Sequence, residues 1–212
     1  MCFDVDSTVC TDEGIDELAA FCGAGEAVAA LTARAMGGSV PFQDALAARL
    51  ELINPSAPTV ATFLAQHPPR LSPGIAELVA ALHAAGKAVF LVSGGFTQMI
   101  YPVADALHIP RERVFANTLL FADGGAFAGF DKTAFTSRSG GKAAAIKHIK
   151  AESGGSFAPM VMIGDGATDL EARMPGGADL FIGYGGVAKR AVVMEGADWF
   201  VMSFTPLIEG LR

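Results

Sequence analysis

Four short segments concentrate the residues that could do chemistry. Asp4-Val5-Asp6-Ser7-Thr8 sets two carboxylates two residues apart. One could attack an electrophile while the other moves a proton, although Asp and Ser are equally at home in a turn. Leu91-Val92-Ser93-Gly94-Gly95-Phe96 ends an apolar run in a hydroxyl and two glycines. Small residues let a ligand approach the backbone, and a following helix turns its free N–H groups toward an anion; alone, the Gly-Gly pair reads as a turn. Gly140-Gly141-Lys142 opens a helical stretch with a lysine that the macrodipole does not favour there, so that lysine is either solvated or facing an anion. Gly164-Asp165-Gly166-Ala167-Thr168-Asp169 sets two more carboxylates about one helical turn apart. Helix capping accounts for one of them but not readily for both.

These segments need a scaffold that brings them together. Short apolar runs at 88–92, 114–116, 159–163 and 179–182 predict buried parallel strands. Between them, 75–85, 98–107 and 142–150 predict helices, the first closing at Gly86. Alternating strands and helices predict an α/β fold with a doubly wound, Rossmann-like parallel sheet. In such a sheet, ligands bind at the carboxyl ends of the strands, which is where each of the four segments falls. The stretch 118–130 differs: two apolar runs flank Asp123-Gly124-Gly125, a β-hairpin pattern in which Asp123 is only a turn residue. Residues 13–70 are Ala-, Leu- and Glu-rich with helical spacing. They predict a small helical cap inserted after the first strand, over a core made of 1–12 and 71–212, and able to act as a lid.

Composition narrows the partners. The chain has 212 residues, 51% hydrophobic and 17% charged, with 15 basic and 22 acidic side chains for a net charge of −7. That is ample material for a core, and without a dense Lys/Arg run neither nucleic acid nor an anionic membrane surface is expected as partner. An acidic protein with an anionic substrate must concentrate positive charge locally. Cys2, Cys10 and Cys22 are odd in number and outside any C-x-x-C spacing, which reads as reduced thiols. No apolar run is long enough to cross a membrane. His67, His83, His108 and His148 fall in no motif, and Trp199 and Phe200 read as the core of a late strand.

The D-x-D-S-T, S-G-G, G-G-K and G-D-G-x-x-D segments, in this order, resemble the haloacid dehalogenase superfamily of phosphatases. The residues at 35–42 (A-M-G-G-S-V-P-F), 69–75 (P-R-L-S-P-G-I) and 164–172 resemble the phosphoserine phosphatases of that superfamily, and the wording at 137–142 and 171–182 its plant-type members. The resemblance implies that Asp4 is the nucleophile, forming an aspartyl-phosphate, and that Asp6 is the general acid and base. It implies one Mg²⁺ held by Asp4, the backbone carbonyl of Asp6, and Asp165, with Asp169 orienting metal-bound water. The choice of metal agrees with the chemistry: clustered carboxylates beside a phosphate dianion need cations, and Mg²⁺ takes hard oxygen ligands. Ser93, Gly94, Gly95 and Lys142 would grip the phosphoryl group. Glu13 would face the substrate ammonium and Arg49 its carboxylate, with Met36, Gly37, Thr168 and Arg190 at further substrate positions. The implied reaction releases serine from O-phosphoserine, the last step of serine biosynthesis by the phosphorylated pathway; a homodimer is left open.

Two other readings stay in view. The phosphoryl-transfer motifs would serve a sugar phosphate or phosphoglycolate equally, and a phosphate or phosphoserine sensor could keep them without catalysis. Family members carry a longer stretch ahead of the nucleophile, so with only Met1, Cys2 and Phe3 before Asp4 a shortened first strand and reduced stability are expected. Plant-type members are made with a plastid transit peptide; none is visible here, and the resemblance points to the plastid stroma, with the cytoplasm as alternative.

Overall fold

The computed structural model describes residues 1–35 and 41–211. In chain order the regular elements are β1 (Cys2–Phe3), α1 (Gly14–Phe21), α2 (Gly25–Ala35), α3 (Phe42–Ile53), α4 (Ala57–Gln66), α5 (Ile75–Ala84), β2 (Phe90–Phe96), α6 (Thr97–Ala106), β3 (Val114–Asn117), β4 (Leu119–Phe121), β5 (Phe127–Phe130), α7 (Gly141–Glu152), β6 (Val161–Gly164), α8 (Ala167–Glu171), β7 (Leu180–Tyr184), α9 (Ala191–Gly196), β8 (Trp199–Val201) and α10 (Thr205–Glu209). Six strands pair in the order β3-β2-β1-β6-β7-β8, and every pairing is parallel. The expected doubly wound sheet is therefore present. The hairpin is present too, as the antiparallel pair β4–β5.

Strand alternation sorts the core into two layers. Phe3, Leu91, Ile163 and Ile182 face one way and pack with Ile75, Leu78, Ile100 and Phe204. Their neighbours Cys2, Phe90, Val92, Met162 and Phe181 face the other way and pack with Ala145, Ile146 and Ile149 of α7. β1 has only two residues, yet both are fully buried. It pairs on both sides: Phe3 stands opposite Leu91 and Ile163, and the Met1 carbonyl accepts from Phe90 N–H at 2.9 Å. This central position places Asp4 in the middle of the sheet's carboxyl edge.

The helices α1–α4 form a third cluster, in which Leu18, Val28, Leu46, Leu50 and Phe63 pack with Phe96, Leu119 and Phe130. The hairpin thus supports these helices, and Ala57 N–H donates to the Gly125 carbonyl at 2.8 Å. The two chain passages joining them to the sheet are zipped together: Cys10 and Leu71 form an antiparallel bridge, and Arg70 pairs with Asp12 at 3.1 Å and Glu17 at 2.7 Å. One expectation is corrected here. Trp199 lies on the late strand, but β8 is an edge strand and leaves the indole 47% exposed rather than in the core.

Candidate active site

The chain leaves β1 in a sharp reversal. Residues Val5–Val9 make one wide turn, closed by Cys10 N–H donating to the Val5 carbonyl at 2.8 Å, and Ser7 takes a left-handed φ of 53°. A non-glycine residue is uncommon there. The Ser7 hydroxyl is used in the turn, donating to Glu13 Oε1 at 2.7 Å. The reversal lets Asp4 and Asp6 line one cavity of about 590 Å³. Asp4 is 8% exposed; its Oδ1 accepts from Val5 N–H at 2.8 Å and its Oδ2 meets Lys142 Nζ at 2.8 Å. Asp6 Oδ1 accepts from Gly14 N–H at 2.8 Å. Burial, followed by the Asp4 charge, pushes the Asp6 carboxyl up to about 7, which suits a group that must carry a proton near neutrality.

From β6 the chain turns directly into α8. Asp169 is completely buried, and its Oδ2 accepts from Gly166 N–H at 2.9 Å while its Oδ1 meets Lys142 Nζ at 2.5 Å. A side chain at Gly164 would place Cβ 2.2 Å from Asp169 Cγ, so only glycine lets this carboxylate lie over the strand end. Asp165 Oδ1 accepts from the Thr8 hydroxyl at 3.1 Å and Oδ2 from Arg190 Nε at 3.0 Å. Carboxylate oxygens of Asp4, Asp165 and Asp169 all lie within 4.8 Å of one another. Charges that close repel by at least about 3 kcal/mol per pair at an effective dielectric near 20. Burial first, and then the Asp4 charge, accordingly push both Asp165 and Asp169 up. Burial alone would lower Lys142, but Asp169 and Asp4 hold it above the ordinary lysine range, so it stays charged between them.

Gly94, Gly95, Lys142, Thr168, Glu13, Arg49 and Arg190 line the same cavity as Asp4, Asp6 and Asp165. Ser93, expected to grip the phosphoryl group, does not line the cavity: it is fully buried, its hydroxyl accepting from Gly95 N–H at 3.0 Å. Arg49 comes from α3, and burial lowers it against the opposing pull of Asp16, Glu13 and Asp6. Burial raises Glu13. Arg190 also reaches Glu13 at 3.7 Å, linking it to Asp165. Met36 and Gly37 lie outside the described residues. The cavity also takes in Ile15, Phe42, Thr136, Arg138 and Glu171. None of these belongs to a strand-end motif, so the sequence does not single them out. Thr136 and Arg138 had one available signal: they adjoin Gly140-Gly141-Lys142.

A buried carboxylate flanked by a lysine, with a second, protonatable carboxyl two residues on, brings together groups able to attack an electrophile and to move a proton. The chain belongs to the haloacid dehalogenase-like hydrolase family, whose model matches residues 1–173. It is 63% identical over 211 residues to the chloroplastic phosphoserine phosphatase of Arabidopsis thaliana, covering all of this chain and 71% of that protein. It is 51% identical over 212 residues to phosphoserine phosphatase of Bos taurus, covering 92% of that protein. A solved substrate-bound phosphoserine phosphatase complex superposes with a TM-score of 0.82 at 26% identity, covering all of this chain and 97% of that one. Among the described residues no helix is long and apolar enough to cross a membrane.

Proposed function

We propose that the chain hydrolyses O-phosphoserine to serine and phosphate through a phosphorylated Asp4, the last step of serine biosynthesis by the phosphorylated pathway. The observation that carries the substrate assignment is a pair of opposite charges, Glu13 and Arg49, lining the cavity that also holds Asp4 and Lys142. Phosphoserine presents an ammonium and a carboxylate beyond its phosphate, and the two side chains complement them with opposite charges. Relatives 51% and 63% identical carry the same activity in their names.

The residues divide the work. An Asp4 oxygen attacks phosphorus as the bond to the serine oxygen breaks, and Asp6 gives its proton to that oxygen. Water then attacks phosphorus, Asp6 takes the proton back, and the Asp4 carboxylate is restored as phosphate leaves. Lys142 and the Gly94 amide face the phosphoryl oxygens, with Ser93 bracing the loop from below. Glu13 binds the ammonium and Arg49 the carboxylate, while Thr168 and Arg190 line the remaining wall. Residues 13–70 act as the cap and 1–12 with 71–212 as the core. The donor set fits Mg²⁺: Asp4, Asp165 and Asp169 offer only carboxylate oxygens, with no histidine or thiol among them. Asp4, Asp165 and the backbone of Asp6 would hold the ion and Asp169 would support them. Bound there, Mg²⁺ neutralises the dianion and polarises the phosphoryl group. By likeness to the chloroplastic relative, we place the protein in the plastid stroma.

The test is turnover of O-phosphoserine against glycerol phosphate with Mg²⁺ present. Phosphoserine should be turned over far faster. Comparable rates on the ester lacking the amino-acid head would overturn the substrate assignment.

A further inference from the structure

The Gly94 end of β2 and the start of α7 come from distant parts of the chain, yet both line one cavity. A fully buried side chain joins them. Asn117, the last residue of β3, donates from Nδ2 to the Gly94 carbonyl at 2.7 Å and accepts at Oδ1 from the Thr136 hydroxyl at 3.2 Å. The Gly94 carbonyl can only accept, so the Asn117 amide nitrogen must face it and the amide oxygen is left for Thr136. Thr136 is itself buried at 3% exposure and packed on the lysine-bearing helix: a Cβ at Gly141 would stand 2.7 Å from Thr136 Cα and 2.2 Å from the Phe135 carbonyl oxygen. The peptide between Gly94 and Gly95 is held on both sides, its carbonyl by Asn117 and its N–H by the Ser93 hydroxyl at 3.0 Å. Gly94, held in this way, lines the cavity beside Lys142.

We infer that Asn117 and Thr136 are positioning residues that lock the Gly94 amide and Lys142 into one anion-binding arrangement. Neither acts on the reacting atoms. Asn117 fixes the plane of the loop peptide, and Thr136 fixes which way the Asn117 amide points and ties it to the α7 start. The inference rests on the proposed phosphatase reading, because it presumes that this loop grips phosphate.

The experiment measures orthophosphate binding by calorimetry in the presence of Mg²⁺, beside steady-state hydrolysis of O-phosphoserine. Thr136→Val keeps the shape but removes the donor to Asn117. It should weaken orthophosphate binding roughly tenfold, the scale of one lost neutral hydrogen bond, and raise KM more than it lowers kcat. Thr136→Ser keeps the hydroxyl and should restore most of the affinity. Asn117→Ala should match Thr136→Val, and the double variant should bind no more weakly than the weaker single variant, because both remove one coupled unit. If Asn117→Ala does not fold, the two Thr136 variants decide alone. Unchanged phosphate affinity in Thr136→Val, an equal loss in Thr136→Ser, or additive losses in the double variant would each overturn the inference. A chain that binds orthophosphate but leaves O-phosphoserine intact would instead overturn the substrate reading, and the variants' phosphate affinities would still decide this one.

Discussion

Lys142 is the buried cation on which the acidic cluster depends, and replacing it with methionine tests that directly. Its ammonium meets Asp4 at 2.8 Å and Asp169 at 2.5 Å, and its side chain is 7% exposed. Lys142→Met keeps most of the apolar stem and removes the charge. Breaking a buried ion pair by removing one partner costs about 3–5 kcal/mol, because the remaining charge stays buried. For a domain of this size that corresponds to a fall of roughly 10 °C in melting temperature. The sign of the pH dependence follows. Burial and Asp4 already raise the folded Asp169 carboxyl to about 8 with the lysine in place, Lys142 being among the groups that oppose the rise. Without the lysine it rises further, so the stability deficit must grow as pH increases above about 8 and stay level below that. Thermal unfolding of metal-free protein, followed by circular dichroism from pH 6 to pH 10, reads this out, and added Mg²⁺ should narrow the gap at pH 9 by replacing the missing charge. A deficit that stays the same across the pH series would refute the electrostatic reasoning and leave only lost packing.

Asp6→Asn should abolish turnover yet stabilise the metal-free protein. The Asp6 carboxyl is raised to about 7, so ionising it works against folding above its unfolded pKa; the gain should be largest near pH 8 and vanish near pH 4 in urea titrations. Chelation with EDTA should stop phosphate release and excess Mg²⁺ should restore it, measured by phosphate assay. Glu13→Gln and Arg49→Ala should each raise KM for O-phosphoserine by roughly 10- to 100-fold, the loss of a charged hydrogen bond, while changing turnover of an ester without the amino-acid head much less.

The sheet and three of the four motifs expected at its strand ends were legible because each leaves a local trace; Gly140-Gly141-Lys142 instead opens α7 after the hairpin, away from any strand end of the parallel sheet. Apolar runs mark β2, β6 and β7, and the glycines beside Ser93, Lys142 and Asp165 mark turns into helices. Strand limits moved by a few residues: the second strand runs on through the glycines to Phe96, since small residues do not by themselves end a strand buried on both sides. The exposure of Trp199 was illegible because strand order decides it, and sequence does not display that β8 is an edge. Asn117 and Thr136 were illegible for a related reason. Their meaning lies in the partners at Gly94 and across 19 residues of chain, and a buried asparagine at the end of a strand has no periodicity to announce it. The pairing of Thr8 with Asp165, 157 residues apart, was hidden in the same way.

In the proposed reaction the phosphoryl group passes through Asp4. Rapid acid quench of the protein with Mg²⁺ and O-phosphoserine labelled in its phosphate, followed by peptide mapping, tests it. Label should appear on the N-terminal peptide at Asp4 and be absent from Asp4→Asn, which should also release no phosphate. Label on another residue, or phosphate release that survives Asp4→Asn, would contradict the account.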